Sequence, residues 1–303
     1  MPDHAPDTDD IAALAAAIPA LAGWRGMPQR LGGLTNRVWR LGDHILRIPG
    51  EGTAAYIDRT NEAVAARAAA GAGVSPALLH ADPATGLMVT AYIDSVTMTP
   101  EGFRSRPGAP GRAGQAFRRL HDSGAVFPFR FELFAMIDDY LRLLSGKEVA
   151  LPPGYHDVVA EAGAVRAALA AHPLPLAPCH CDPLCENFLD TGSRMWIVDW
   201  EYSGMNDPMW DLGDLSVEGE FDADQDEALL TAYFGGEASP RDRGRMVIYK
   251  AMCDLLWTLW GLIQLADANP ALDFRAYADG RFARCKALMA TPDFTRHLTA
   301  VAN

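Results

Sequence analysis

Residues 180–202, HCDPLCENFLDTGSRMWIVDWEY, hold three side chains whose types and spacing suit phosphoryl transfer. Asp182 is followed five residues later by Asn187, and Asp199 comes after a short turn. The Asp182 carboxylate is expected beside an acceptor hydroxyl, orienting it and accepting its proton as the bond to phosphorus forms. Asn187 and Asp199 bring hard oxygen ligands suited to Mg²⁺ shared with a nucleotide's phosphates. NFLD and RMWIVDW alternate like short strands joined by Thr191, Gly192 and Ser193, so a hairpin should return Asp199 toward Asn187. Any one of these residues alone reads as a cap or a turn, and the combination carries the chemistry. His180 reads as a buried histidine bracing the loop rather than a metal ligand.

Composition narrows the rest. The chain has 303 residues, 49% of them hydrophobic, with mean hydropathy -0.03, enough for two lobes around separate cores. Net charge of -13 argues against nucleic-acid binding. Met195 to Pro240 carries twelve Asp or Glu and no Lys or Arg, a field attractive to a cation, although EGEFDADQDE also reads as a solvated face. Asp3, Asp7, Asp9 and Asp10 precede IAALAAAIPALAG, the wrong charge for a signal peptide, and LLWTLWGLIQLA is flanked by Asp254 and Asp267. A cytoplasmic protein without membrane insertion is expected. Five cysteines fit a reducing compartment, and Cys179, Cys181 and Cys185 lack the paired spacing of a zinc site, so they should pack as small apolar groups.

The elements that must position these residues fall into two groups. RVWRL, HILRI, ALLHA and LMVTAYI have strand character, with an Ala-rich helix from about Asp58 to Ala70 expected to cover the sheet. After Asp94 the periodicity becomes helical, so residues 1–93 are expected as a nucleotide-binding lobe and 94–303 as a helical lobe holding the catalytic loop and acceptor pocket. AYID, with Tyr92 and Ile93, is the expected hinge, and the cleft beside it is where a nucleotide would lie. In LGGLTNRVWRL, Gly32 and Gly33 precede a strand with Leu34, Thr35 and Asn36 at the turn, letting backbone amides approach phosphate oxygens. Arg47, in HILRI, stands where a protein kinase carries its phosphate-binding lysine, and an ion pair to Glu62 on the next helix is expected. Alone, Arg47 also reads as a surface residue on an edge strand.

With these residues in view, the chain resembles the choline/ethanolamine kinase family, bacterial choline kinases in particular, within the larger group that includes aminoglycoside phosphotransferases. GGLTN, LRIPGEGT with IDRTNE, HCDPLCEN, IVDWEYSGMNDPMWDLGDL and LLWTLWGLIQ follow in family order from Leu31 to Met289. The resemblance implies an α+β, bilobal protein kinase-like fold with a small antiparallel-sheet lobe and a larger helical lobe. It also implies ATP as co-substrate, Mg²⁺, and transfer to a small cationic amino alcohol. Arg47 is usual in that family. Cys181 replaces its usual Asn or Gly, at a position that is neither base nor ligand.

A quaternary ammonium donates no hydrogen bond and is best held by aromatic faces and diffuse negative charge. Trp257 and Trp260, three apart on a predicted helix, match aromatic positions of the family's choline pocket, as do Tyr202 and Tyr277. Without that match the Trp pair reads as a core stripe. Glu201 is expected to add negative field beside the pocket, and Asp211 to brace the catalytic-loop backbone. Ethanolamine, thiamine, an aminoglycoside or another hydroxylated amine remain alternative acceptors, and a catalytically silent amine- or nucleotide-binding protein is the alternative of another class.

Overall fold

The computed structural model describes residues 8–32, 36–50 and 57–303. Its first part runs α1 (Thr8–Ala17), β1 (Gln29–Arg30), β2 (Arg37–Leu41), β3 (His44–Ile48), α2 (Arg59–Gly71), β4 (Leu78–Asp82) and β5 (Leu87–Ala91). The strands form one antiparallel sheet in the order β1-β2-β3-β5-β4. The predicted strands are all present; β1, only two residues long, is too short to leave a period in the sequence.

Arg47 lies on β3, the central strand, rather than at an edge. One core packs Ile11, Ala15, Ile18 and Leu21 against Trp39, Leu41, Leu46 and Val89, so the cover of that face is α1 and the turn after it. The buried alanines of α2, at positions 63, 65, 66 and 69, instead join the large core of the helical part, together with Met88. Their small side chains let the α2 backbone approach that core while packing on β4, so α2 covers the face of the sheet opposite α1, as expected. Asp58 caps α2, accepting the Thr60 and Asn61 amides at 2.9 and 3.1 Å. The cap fixes the first turn, from which Arg59 and Glu62 project.

The second part runs β6 (Val96–Thr97), α3 (Pro100–Ser105), α4 (Ala109–His121), α5 (Leu133–Ser145), α6 (Tyr155–Ala171), β7 (Ala177–Cys179), β8 (Phe188–Asp190), β9 (Met195–Ile197), β10 (Gly204–Asn206), α7 (Met209–Glu218), α8 (Ala223–Phe234), α9 (Pro240–Ala266), α10 (Phe274–Met289) and α11 (Pro292–Ala302). The fold is the bilobal kinase-like one, α+β and 53% helical. Helix α9 packs against α5, α7, α10 and α11. By length and composition it could cross a membrane, yet 78% of its most apolar window is buried inside the protein, as befits a core helix.

Strands β8 and β9 form the hairpin that the alternation predicts, with Phe188 opposite Ile197. A buried ion triad anchors it. The Asp190 carboxylate accepts Arg112 Nε and Nη2 at 2.8 and 2.7 Å, Arg106 Nε at 2.7 Å and the Gly192 amide at 3.0 Å. Burial alone would raise the Asp190 carboxyl; the two guanidiniums more than offset it and hold the group below its ordinary value. The stabilisation is therefore fully present above the unfolded carboxylate pKa of about 4 and fades as pH falls through the lower folded value. Asp190→Asn should cost about 2–3 kcal/mol at pH 7, at or below the usual range for a broken buried pair because both arginines keep some solvent. Urea midpoints of variant and wild type should converge as pH is lowered below about 4.

Candidate active site

The loop from β7 to β8 carries His180, Asp182 and Asn187, and its shape is imposed from α7. Asp211, in the first turn of α7 and fully buried, accepts the His180 amide through Oδ2 at 2.8 Å and the Cys181 amide through Oδ1 at 2.9 Å. His121 Nε2 lies 3.0 Å from the same Oδ2, and Trp210 Nε1 donates to the Cys181 carbonyl at 3.2 Å. Cys181 has φ 68°, a left-handed conformation costing a residue with a Cβ about 1–2 kcal/mol. That conformation gives a physical reason for Gly or Asn at this position, and the Asp211 hydrogen bond holds Cys181 in it. His180 Nε2 donates to the Val198 carbonyl at 2.9 Å, and its ring meets Trp200 edge-on with centroids 4.9 Å apart. Burial lowers its pKa despite the charge of Asp211, so the ring is a neutral strut between loop and hairpin.

The hairpin returns the second acid to the first. Val198 donates its amide to the Asn187 carbonyl at 2.9 Å, placing Asp199 next in the chain, itself left-handed at φ 68°. The Asn187 amide nitrogen donates to the Asp182 carbonyl at 3.1 Å, which leaves its amide oxygen as a donor for a cation.

On the sheet side, Arg47 ion-pairs with Glu62 as expected, lies 3.4 Å from Asp199 Oδ1 and donates to the Gly86 carbonyl at 3.2 Å. Arg59, which the sequence reading quoted within IDRTNE and gave no role, bridges Glu62 and Glu201 at 2.8 and 3.1 Å. Asn36 Nδ2 reaches Glu201 and Asp199 at 3.4 and 3.5 Å, and its buried Oδ1 has no partner among the described residues. Carboxylate oxygens of Glu62, Asp199 and Glu201 lie within 4.8 Å of one another. Glu201, expected beside the acceptor, ion-pairs with Arg59 and joins this charged cluster. Burial pushes the Asp199 carboxyl up, and Glu62 adds to this against the pull of Arg47. Burial and Asp199 likewise raise Glu201. The cluster thus holds more negative charge than its two arginines neutralise.

Gly32 has open space where a Cβ would stand; Gly33, Leu34 and Thr35 lie outside the described residues. In the segment expected as a hinge, the Tyr92 amide donates to the Asp43 carbonyl at 2.8 Å, its ring centroid lies 3.6 Å from the Arg40 guanidinium carbon, and the Ile93 carbonyl accepts from Ser95 Oγ at 3.0 Å.

The aromatic residues assemble around α9. Trp257 and Trp260 meet edge-to-face with centroids 6.0 Å apart, and Tyr277 of α10 meets Trp260 at 5.7 Å. Phe274, absent from the sequence reading, joins Trp260 at 5.4 Å. Gly261 makes this contact possible, since a Cβ there would stand 2.8 Å from Tyr277 Cδ1. Tyr202 is half-buried on the turn beyond Asp199. Asp182, half-buried, is pushed up to about 8 by burial and then by the charges of Glu218, Asp199 and Glu201. Burial pushes the Tyr277 phenol up, and the charge of Glu218 adds to this against the pull of Arg281. Asp214, Glu218 and Arg281 were missed by the sequence reading. Their available signal is helical spacing: Asp211, Asp214 and Glu218 share one face of α7, and Arg281 follows Tyr277 by four residues on α10.

Residues 27–246 match the model described as the phosphotransferase enzyme family, and the chain belongs to that family. Within that class it is a choline/ethanolamine kinase-type phosphotransferase with an alcohol oxygen as acceptor. It is 75% identical to a choline/ethanolamine kinase family protein from Mesorhizobium loti, over 97% of this chain and 99% of that one, with a TM-score of 0.92. Choline kinase LicA from Streptococcus pneumoniae is 25% identical, covering 92% and 98% with a TM-score of 0.74. A structure of LicA in complex with AMP matches at 25% identity, 93% and 96% coverage and a TM-score of 0.71. The family match stops before Trp257, Trp260 and Tyr277, so these three aromatics lie outside it.

Replacing Asp211 by Ala leaves the buried His180 and Cys181 amides without their acceptor, each lost bond costing about 1–3 kcal/mol. Turnover should fall by at least about a hundredfold, with the denaturant midpoint lowered, because a misplaced loop displaces every group it carries. Steady-state kinetics and urea titration measure the two.

Proposed function

We propose that the protein transfers the γ-phosphoryl group of ATP to the hydroxyl of choline. The observation that carries the acceptor assignment is the edge-to-face group of Trp257, Trp260 and Tyr277. Aromatic faces suit a cation that has no N–H to donate. The AMP bound to LicA supports an adenine nucleotide as donor.

Asp182 orients the choline hydroxyl and takes its proton as the new bond forms. Arg47, fixed by Glu62 and Gly86, presents a guanidinium toward phosphate. Asn36 lies on the same side, within reach of Asp199 and Glu201. The donor set fits Mg²⁺: Asp199 and the Asn187 amide oxygen are hard ligands in a region of excess negative charge, and these two residues would hold the ion. When bound, Mg²⁺ supplies charge neutralisation at the transferring phosphate.

The carboxylates of Asp214 and Glu218 near the same pocket favour a second reading, a primary ammonium such as ethanolamine. An acceptor screen by coupled ADP release with product identification separates the two, and failure with every amino alcohol in Mg-ATP would sink both. Asp182→Asn should lower turnover by at least about a hundredfold while nucleotide binding persists. Trp257→Ala should raise the choline KM by about 5- to 30-fold, the worth of a desolvated cation–π contact, and leave the ATP KM within about twofold.

A further inference from the structure

Arg281 projects from the same face of α10 as Tyr277, one turn further on. It is 9% exposed, with its guanidinium carbon 4.8 Å from the Tyr277 ring centroid. Nη2 lies 2.5 Å from Glu218 Oε1 and Nη1 lies 3.4 Å from Asp254 Oδ1. Asp254 is already held by Arg284, through bonds of 2.7 and 2.5 Å. Glu218, in contrast, has Arg281 as its ion-pair partner among the described residues, so Glu218 is the contact that depends on this guanidinium. Asp214 and Cys253 belong to the same group, and the second carboxylate oxygen of Asp214 is buried without a partner.

A primary ammonium offers three N–H donors and gains most from a carboxylate free to accept them, whereas a trimethylammonium offers none and depends on π faces. We infer that Arg281 sets acceptor selectivity: by engaging Glu218 Oε1 it neutralises that carboxylate and takes one of the two oxygens N–H donors would use, and by stacking on Tyr277 it fixes the ring that faces a methylated ammonium. Arg281 is a positioning residue that acts through Glu218 and Tyr277. The inference rests on the choline reading of the same pocket.

The test compares choline with ethanolamine in steady-state kinetics, and tetramethylammonium with methylammonium in calorimetric binding, for wild type, Arg281→Gln, Arg281→Lys, Glu218→Gln and the Arg281→Gln/Glu218→Gln double variant. Arg281→Gln should move the choline-to-ethanolamine ratio of kcat/KM toward ethanolamine by at least about tenfold, through acceptor KM and with ATP KM unchanged. Arg281→Lys keeps a cation and should stay within about threefold of the wild-type ratio, and the double variant should lose the gain for ethanolamine. Glu218→Gln alone should weaken both acceptors alike. A ratio unmoved in Arg281→Gln, or a selective loss of ethanolamine in Glu218→Gln, overturns the inference; the latter decides even if Arg281→Gln does not fold. Should wild type phosphorylate neither alcohol, the choline reading fails, while the binding ratio of the two hydroxyl-free ammonium ions still decides what Arg281 does.

Discussion

The carboxylate of Asp211 accepting two consecutive backbone amides is the contact on which the site depends. Cys181 stands in a backbone region that side-chain-bearing residues avoid, and a charge-assisted bond to its amide holds it there. That turn sets the direction in which Asp182 leaves the loop. His180, pinned by the same carboxylate, passes the constraint to the hairpin through the Val198 carbonyl, and Val198 is hydrogen-bonded in turn to Asn187. One buried acid in α7 therefore orients the proposed base directly and the two proposed ligands through its neighbours.

Charge is divided unevenly on either side of Asp182. Toward the sheet, two arginines face three carboxylates; toward the aromatics, Arg281 and Arg284 face Asp214, Glu218 and Asp254. Toward the sheet this leaves negative potential, appropriate to a metal-bound phosphate; toward the aromatics, burial pushes the Asp214 carboxyl well up and brings the balance closer to even. The acidic stretch from Met195 to Pro240 resolves accordingly. Asp199, Glu201, Asp211, Asp214 and Glu218 face inward, while Asp222 caps α8 and Asp226 pairs with Lys250. Its outer portion is one helix cap and a set of ion pairs, Glu220 with Arg104, Asp226 with Lys250 and Glu227 with Arg243.

Where chemistry and local period agreed, the sequence was readable. HILRI had to be a strand, so Arg47 had a defined face and Glu62 a helix opposite it; the β8–β9 hairpin followed from alternation and a Gly-containing turn. What could not be read depends on how distant elements meet. Glu201 is two residues from Asp199, and nothing local distinguishes an acceptor carboxylate from an Arg59 partner. Arg281, Glu218 and Asp214 acquire meaning only when α10 and α7 are laid on α9. The division of the sheet's two faces between α1 and α2 is likewise a packing outcome: both helices are Ala-rich, and composition does not say which core receives each.

Gly261 and Tyr277 occupy what amounts to one side chain's volume, shared between two helices. The backbone of α9 must be bare at that point for the ring to lie flat enough to meet Trp260. The pocket's shape is thus recorded partly as a missing atom. In related chains the two positions should drift as a pair, a larger residue at the first accompanying a smaller one at the second, and such a pair would mark a lineage that had exchanged its acceptor while keeping its phosphate donor.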